Sequence, residues 1–125
     1  MKSEKLNFYD LRVWQQAHQI SIEIYALTKK FPIDERFGMI SQLRRAATSV
    51  TANIAEGYER YYFKDKIRFY YQARGSAAEI QSFILLARDL QLVTVDESLI
   101  IMDKVAMVKA LLNGLIRSNS VAANP

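Results

Sequence analysis

The chain has 125 residues, half of them hydrophobic, with no cysteine, four glycines and two prolines. One domain of this size with so few turn formers is not a sandwich or barrel of many short strands, and without cysteine it has neither a disulfide framework nor a thiolate metal site. The net charge of +4 lies wholly in residues 36–92, because residues 1–35 balance at five basic and five acidic side chains and residues 93–125 at three and three.

Residues 1–6 read as a loose tail. Asn7 or Asp10 then caps a first helix through a side-chain oxygen. Val13, Ala17, Ile20, Ile24, Leu27 and Phe31 step by three and four, the apolar stripe of an amphipathic helix that Pro32 stops. Trp14 lies beside the stripe, and four residues on stands His18, the single histidine; that spacing reads as packing with the imidazole at the rim. Pro32–Arg36 forms a turn, where Asp34 and Glu35 suit the start of the next helix because its dipole favours negative charge. Gly38 leaves that boundary open by several residues.

Arg36 to Arg60 reads as one long central helix. Ile40, Leu43, Ala47, Val50 and Ile54 form its seam. Ala46, Ser49, Asn53 and Gly57 form a second row of small residues, which either lets a neighbouring backbone approach or merely fills a narrow gap. Gly57 marks either such a contact or the beginning of the helix end. Glu56 precedes Arg60 by four, the favourable order for an exposed pair. After a connection near Tyr61–Phe63, a third helix runs from about Lys64 to Leu90. Its seam is Tyr70, Ala73, Ala77, Ile80, Ile84 and Ala87, and Phe69, Phe83, Leu86 and Leu90 make a second strip suited to a wide core face or an oligomer interface. An antiparallel hairpin turning near residue 62 sets Arg45 against Glu79, partly buried, and Asn53 near Tyr71. Thr94-Val-Asp-Glu97 fits a capping box opening a fourth helix with seam Ile101, Val105, Val108, Leu112 and Leu115. Residues 119–125 lose periodicity and read as frayed. The expectation is all-α: a single antiparallel up-down-up-down four-helix bundle with its core over about residues 8–118.

Three functional readings follow. Between Tyr58 and Tyr71, aromatic side chains alternate with basic ones; Arg60, Tyr62, Lys64, Lys66 and Arg68, with Arg74 beyond, are candidates for stacking bases and holding phosphates of RNA or DNA. The same aromatics can instead pack at one end of the bundle or between subunits. Arg45, Asn53, Glu56 and Glu79 form a candidate structural polar cluster. The second reading is a non-enzymatic scaffold that binds a protein partner. The third takes Arg12-x5-His18 as the Arg-x4–6-His signature of HEPN ribonucleases, but a six-residue step turns about 240° around a helix, which sets the two side chains apart. No metal, cofactor or catalytic constellation is expected. The apolar runs are too short to span a membrane and MKSEKLNFYD lacks an apolar signal core, so the expected location is cytoplasmic.

The stretches DLRVWQQA (10–17), FPIDERFGMISQLRRAATSVTANIAEG (31–57) and ARGSAAEI (73–80) together resemble the bacterial four-helix bundle proteins known as S23 or 23S rRNA intervening-sequence proteins. The resemblance covers roughly residues 8–118. It implies a left-handed four-helix bundle that assembles into a homopentamer. It does not imply a settled function: some relatives are encoded within an insertion in the large ribosomal RNA gene, which does not make them ribosome components.

Overall fold

The computed structural model describes residues 6–124. Among them are four α-helices and no strand: α1 (Arg12–Thr28), α2 (Ser41–Glu59), α3 (Phe63–Asp89) and α4 (Val95–Ala123). The apolar seams meet in one core. All six stripe residues of the first segment are buried, as are all six seam residues of α3 and, on α2, Leu43, Ala47, Val50 and Ile54. On α4 the seam holds through Ile101, Val105, Val108 and Leu112, but its last buried position is Ile116, with Leu115 only partly buried. A straight helix of 3.6 residues per turn drifts from a strict heptad, and over four turns that drift exchanges one position for the next.

α2 packs against α1 and α3, α3 against α4, and α4 against α1. Across the α2–α3, α3–α4 and α1–α4 seams the contacting partners run in opposite order. Arg45 meets Glu79, Ser49 Oγ meets Ser76 Oγ at 2.8 Å, and Gly57 meets Tyr70. Arg74 and Gln81 meet Asn113 and Lys109. Glu23 and Lys30 meet Lys104 and Glu97. One pole of the molecule therefore holds the start of α1, the α2–α3 turn and the end of α4. The other holds the α1–α2 and α3–α4 connections. They are called here the Tyr62 pole and the Phe37 pole.

Several element boundaries differ from the sequence expectation. Asn7 and Asp10 do not cap α1. They close a separate 3-10 turn, Phe8–Asp10, in which the Asn7 N–H donates to Asp10 Oδ2 at 2.9 Å, and extended Leu11 breaks the chain before α1 begins. The central helix is not continuous from Arg36 to Arg60. A 3-10 turn (Ile33–Glu35) leads into a π-helical turn (Arg36–Ile40), and the backbone leaves helical geometry at Gly38 (φ −107°, ψ −108°). Glu35 Oε1 accepts the Met39 N–H at 3.3 Å, so the acidic residue does serve a helix start, one turn later than the charge pattern alone indicates. The tail is not frayed from residue 119: α4 continues to Ala123. Asn119 Nδ2 and Ser120 Oγ donate to the carbonyls of Leu115 and Ile116, and the following alanines favour helix. The expected loose tail lies outside the described residues except for Leu6, whose carbonyl accepts the Tyr58 hydroxyl at 3.0 Å.

The capping box at Thr94 forms in both directions, with Thr94 N–H to Glu97 Oε1 at 2.9 Å and Glu97 N–H to Thr94 Oγ1 at 3.0 Å. The Lys30 ammonium first, and then the Thr94 bonds, hold the Glu97 carboxyl below its usual range. No described helix is long and apolar enough to cross a membrane.

Candidate functional site

The aromatic-basic stretch forms the Tyr62 pole. α2 ends at Glu59, Arg60 turns extended, and α3 begins at Phe63. A Cβ on Gly57 would stand 2.8 Å from Tyr70 Cε1 and 3.1 Å from Phe69 Cβ. Gly57 is thus both the close contact and the last turn of α2. Burial, with help from Tyr58, pushes the Tyr70 phenol up to about 12. Lys66 turns inward: its Nζ donates to the Tyr58 carbonyl at 2.6 Å and lies 5.4 Å above the Tyr58 ring. An ammonium there satisfies orphan carbonyls at the negative end of α2. Burial lowers its pKa, against the raising influence of Glu59.

Three of the other cations at this pole are engaged as well. Arg60 pairs with Glu56 at 3.1 Å. Arg60 and Arg68 both lie over Phe69, 4.7 and 5.0 Å from its centroid, and Arg68 also reaches Asp65 at 3.8 Å. Arg74 covers Tyr71 and donates to Asn113 Oδ1 at 2.7 Å. Lys64 has no ion pair among the described residues, and Tyr62, 66% exposed, meets Tyr61 edge-on at 5.0 Å. Tyr62, Phe63, Lys64 and Asp65 line a shallow groove against Ala122 and Ala123. The six candidate residues share one region but not one charge field, since Glu56, Glu59 and Asp65 stand among them.

The four residues read as a polar cluster are not gathered. Arg45 reaches Glu79 at 3.4 Å and Gln42 at 2.9 Å, and the Arg45–Glu79 pair is about half exposed instead of partly buried. Such a pair contributes about 0–1 kcal/mol. Asn53 instead donates to the Ser49 carbonyl at 2.9 Å, and Glu56 pairs with Arg60. His18 lies flat on Trp14, with centroids 4.6 Å apart and planes at 12°, and Arg12 is exposed on the same helix.

Sequence reasoning missed two features of the Phe37 pole. Phe37 is 86% exposed, with the Arg36 guanidinium 5.2 Å above its ring. Its signal was an aromatic residue that belongs to no apolar seam and sits beside a glycine. The second is a cleft of about 260 Å³ between α1 and α4, lined by Ala26, Leu27, Ile100 and Ile101 and walled by two ion pairs, Lys30–Glu97 (2.7 Å) and Lys104–Glu23 (2.6 Å). Among the described residues, Glu23 Oε2 is buried there without a hydrogen-bond partner. Nothing in the periodicity of either helix shows how far apart they stand.

Residues 9–114 match the sequence model of the 23S rRNA-intervening sequence proteins. The chain belongs to this family. The fold of this intervening-sequence protein is also that of a crystal structure from Bacteroides thetaiotaomicron, a protein with unknown function from the S23 ribosomal protein family. The two superpose with a TM-score of 0.75 at 22% identity, over 83% of this chain and 97% of the other. No curated protein matches the chain.

Proposed function

We propose that this intervening-sequence protein is a non-enzymatic scaffold. In this reading the antiparallel contacts make an up-down-up-down, left-handed bundle that assembles with copies of itself as a homopentamer in the cytoplasm and offers the assembled surface to a protein partner. The observation that carries the reading is the apolar Phe37 pole. Ile33, Phe37, Leu86, Leu90, Val95, Leu99 and Ile100 are all exposed there. Single exposed leucines are ordinary, but a concentration of large apolar side chains marks an interaction surface. The flat stack of His18 on Trp14 favours packing over acid–base work at Arg12 and His18. Light scattering on the eluting protein tests the reading: the native chain runs as an oligomer, and the double substitution Leu86→Lys with Leu90→Lys weakens assembly while the helical circular dichroism persists. A native chain that is monomeric at its highest soluble concentration ends the reading.

A second reading places RNA or DNA at the Tyr62 pole. It is favoured by the exposure of Tyr61 and Tyr62 beside Lys64. Lys66 is the weakest of the original candidates, because its ammonium already serves the end of α2.

A further inference from the structure

We propose that Phe37 of one subunit is a knob that enters the α1–α4 cleft of a second copy, with Arg36 reaching carboxylates on that copy's α4. The inference rests on the oligomeric reading above and names the surfaces that would meet.

The knob is held out by built structure. Buried Met39 anchors the π-helical turn from inside, and the Glu35 carboxylate caps its N–H. A Cβ at Gly38 would stand 3.2 Å from that same carboxylate oxygen, so the glycine keeps the cap in place. Phe37 projects from this turn and is the most exposed large apolar side chain of the described residues. Arg36 covers one ring face and has no carboxylate partner among the described residues.

The cleft has complementary chemistry. Its floor is apolar, and Ile100 at its edge is half exposed. A phenyl side chain buries roughly 150–250 Å² when enclosed, and a buried aromatic of this kind is what anchors an interface. Asp96 and Asp103 lie four residues before and three after Ile100 on α4, which puts all three on one face. Both are exposed, and neither is in an ion pair among the described residues. A guanidinium arriving beside the phenyl ring meets two carboxylates.

Position along the bundle supplies the remaining argument. Knob and cleft are different surfaces, so their contact is heterologous, and such contacts close into a ring only when the rotation leaves no net translation. A ring of bundles standing side by side therefore needs both surfaces at one height. Phe37 and the Ala26–Ile100 cleft both lie towards the same pole, and Phe37 does not line the cleft of its own chain.

The test uses two variants of the full chain, Phe37→Ala (knob removed) and Ile100→Glu (cleft blocked), studied by light scattering alone and mixed in equal amounts. Both positions are exposed, and circular dichroism and thermal melting check that each variant folds. Each variant alone is expected to raise the concentration at which the assembly dissociates by roughly tenfold or more, as loss of an interface anchor does. The mixture is expected to form heterodimers that stop there, because one good knob and one good cleft remain. If the native chain assembles and Phe37→Ala assembles equally well, or if the mixture rebuilds full-sized oligomers, the knob is overturned and the oligomeric reading stands. If the native chain is monomeric, both fall together.

Discussion

Gly57 shows how much one missing carbon matters here. The space its Cβ would occupy belongs to the Tyr70 ring, which is itself buried. Gly57→Ala is expected to cost about 1–3 kcal/mol through overpacking, with the α2–α3 seam opening at the Tyr62 pole. Gly75 is the control. It lies on exposed α3 surface, and among the described residues no side chain or neighbouring element comes within 4 Å of where a Cβ would stand, so Gly75→Ala is expected to gain about 0.5–1 kcal/mol. Urea denaturation of both variants checks the contrast, and equal effects would refute it. Tyr70 carries a pH signature as well. Its folded pKa of about 12 stands above the 10.0 of an ordinary tyrosine phenol. The neutral phenol is thus favoured in the folded state, and its contribution is complete below the unfolded pKa. It is lost as pH rises from about 10 towards 12. Tyr70→Phe should flatten the fall in stability over that window and leave stability at neutral pH little changed, as measured by denaturation at a series of alkaline pH values.

At the scale of elements, the end of α3 holds a device that Gln91 conceals. Leu92 N–H donates to the Ala87 carbonyl at 2.8 Å and Gln91 sits at φ 61°, which is a Schellman-type ending with glutamine where glycine is customary. Gln91→Gly is expected to stabilise the protein by up to about 1 kcal/mol by removing the left-handed penalty; a loss in the thermal melt would contradict this. Here the limits of the sequence are visible. The seams of the first and third segments were legible to the residue because burial of an amphipathic helix leaves a periodic trace. So was the Thr94–Glu97 cap, which depends on two side chains at fixed spacing. The Gln91 ending, the π-helical turn before α2 and the helical residues 119–123 were not, because backbone bonds and serine or asparagine bonds to carbonyls decide them. The candidate site was legible as a location only. Aromatic and basic residues do gather at the Tyr62 pole, but which carboxylate or carbonyl each cation meets depends on the neighbouring helix, and periodicity carries no trace of that.

For the whole molecule, the two proposals use opposite poles: assembly is proposed for the Phe37 pole and any nucleic-acid contact for the Tyr62 pole. Fluorescence anisotropy with labelled single-stranded RNA, duplex RNA and DNA separates the two. If RNA or DNA binds, affinity falls steeply with salt as counterions are released, and Lys64→Ala with Arg68→Ala weakens it while the oligomer mass is unchanged. Absence of binding at low salt removes the nucleic-acid reading and leaves the scaffold.

The Tyr58 hydroxyl on the Leu6 carbonyl, and Ala122 and Ala123 beside Tyr62, bring both ends of the described chain to one pole. A tag or a cargo domain joined at either end therefore emerges away from Phe37. In a ring of parallel bundles every such attachment would leave from the same rim, so a monovalent binder fused there becomes a multivalent display facing one direction, with the opposite rim unencumbered.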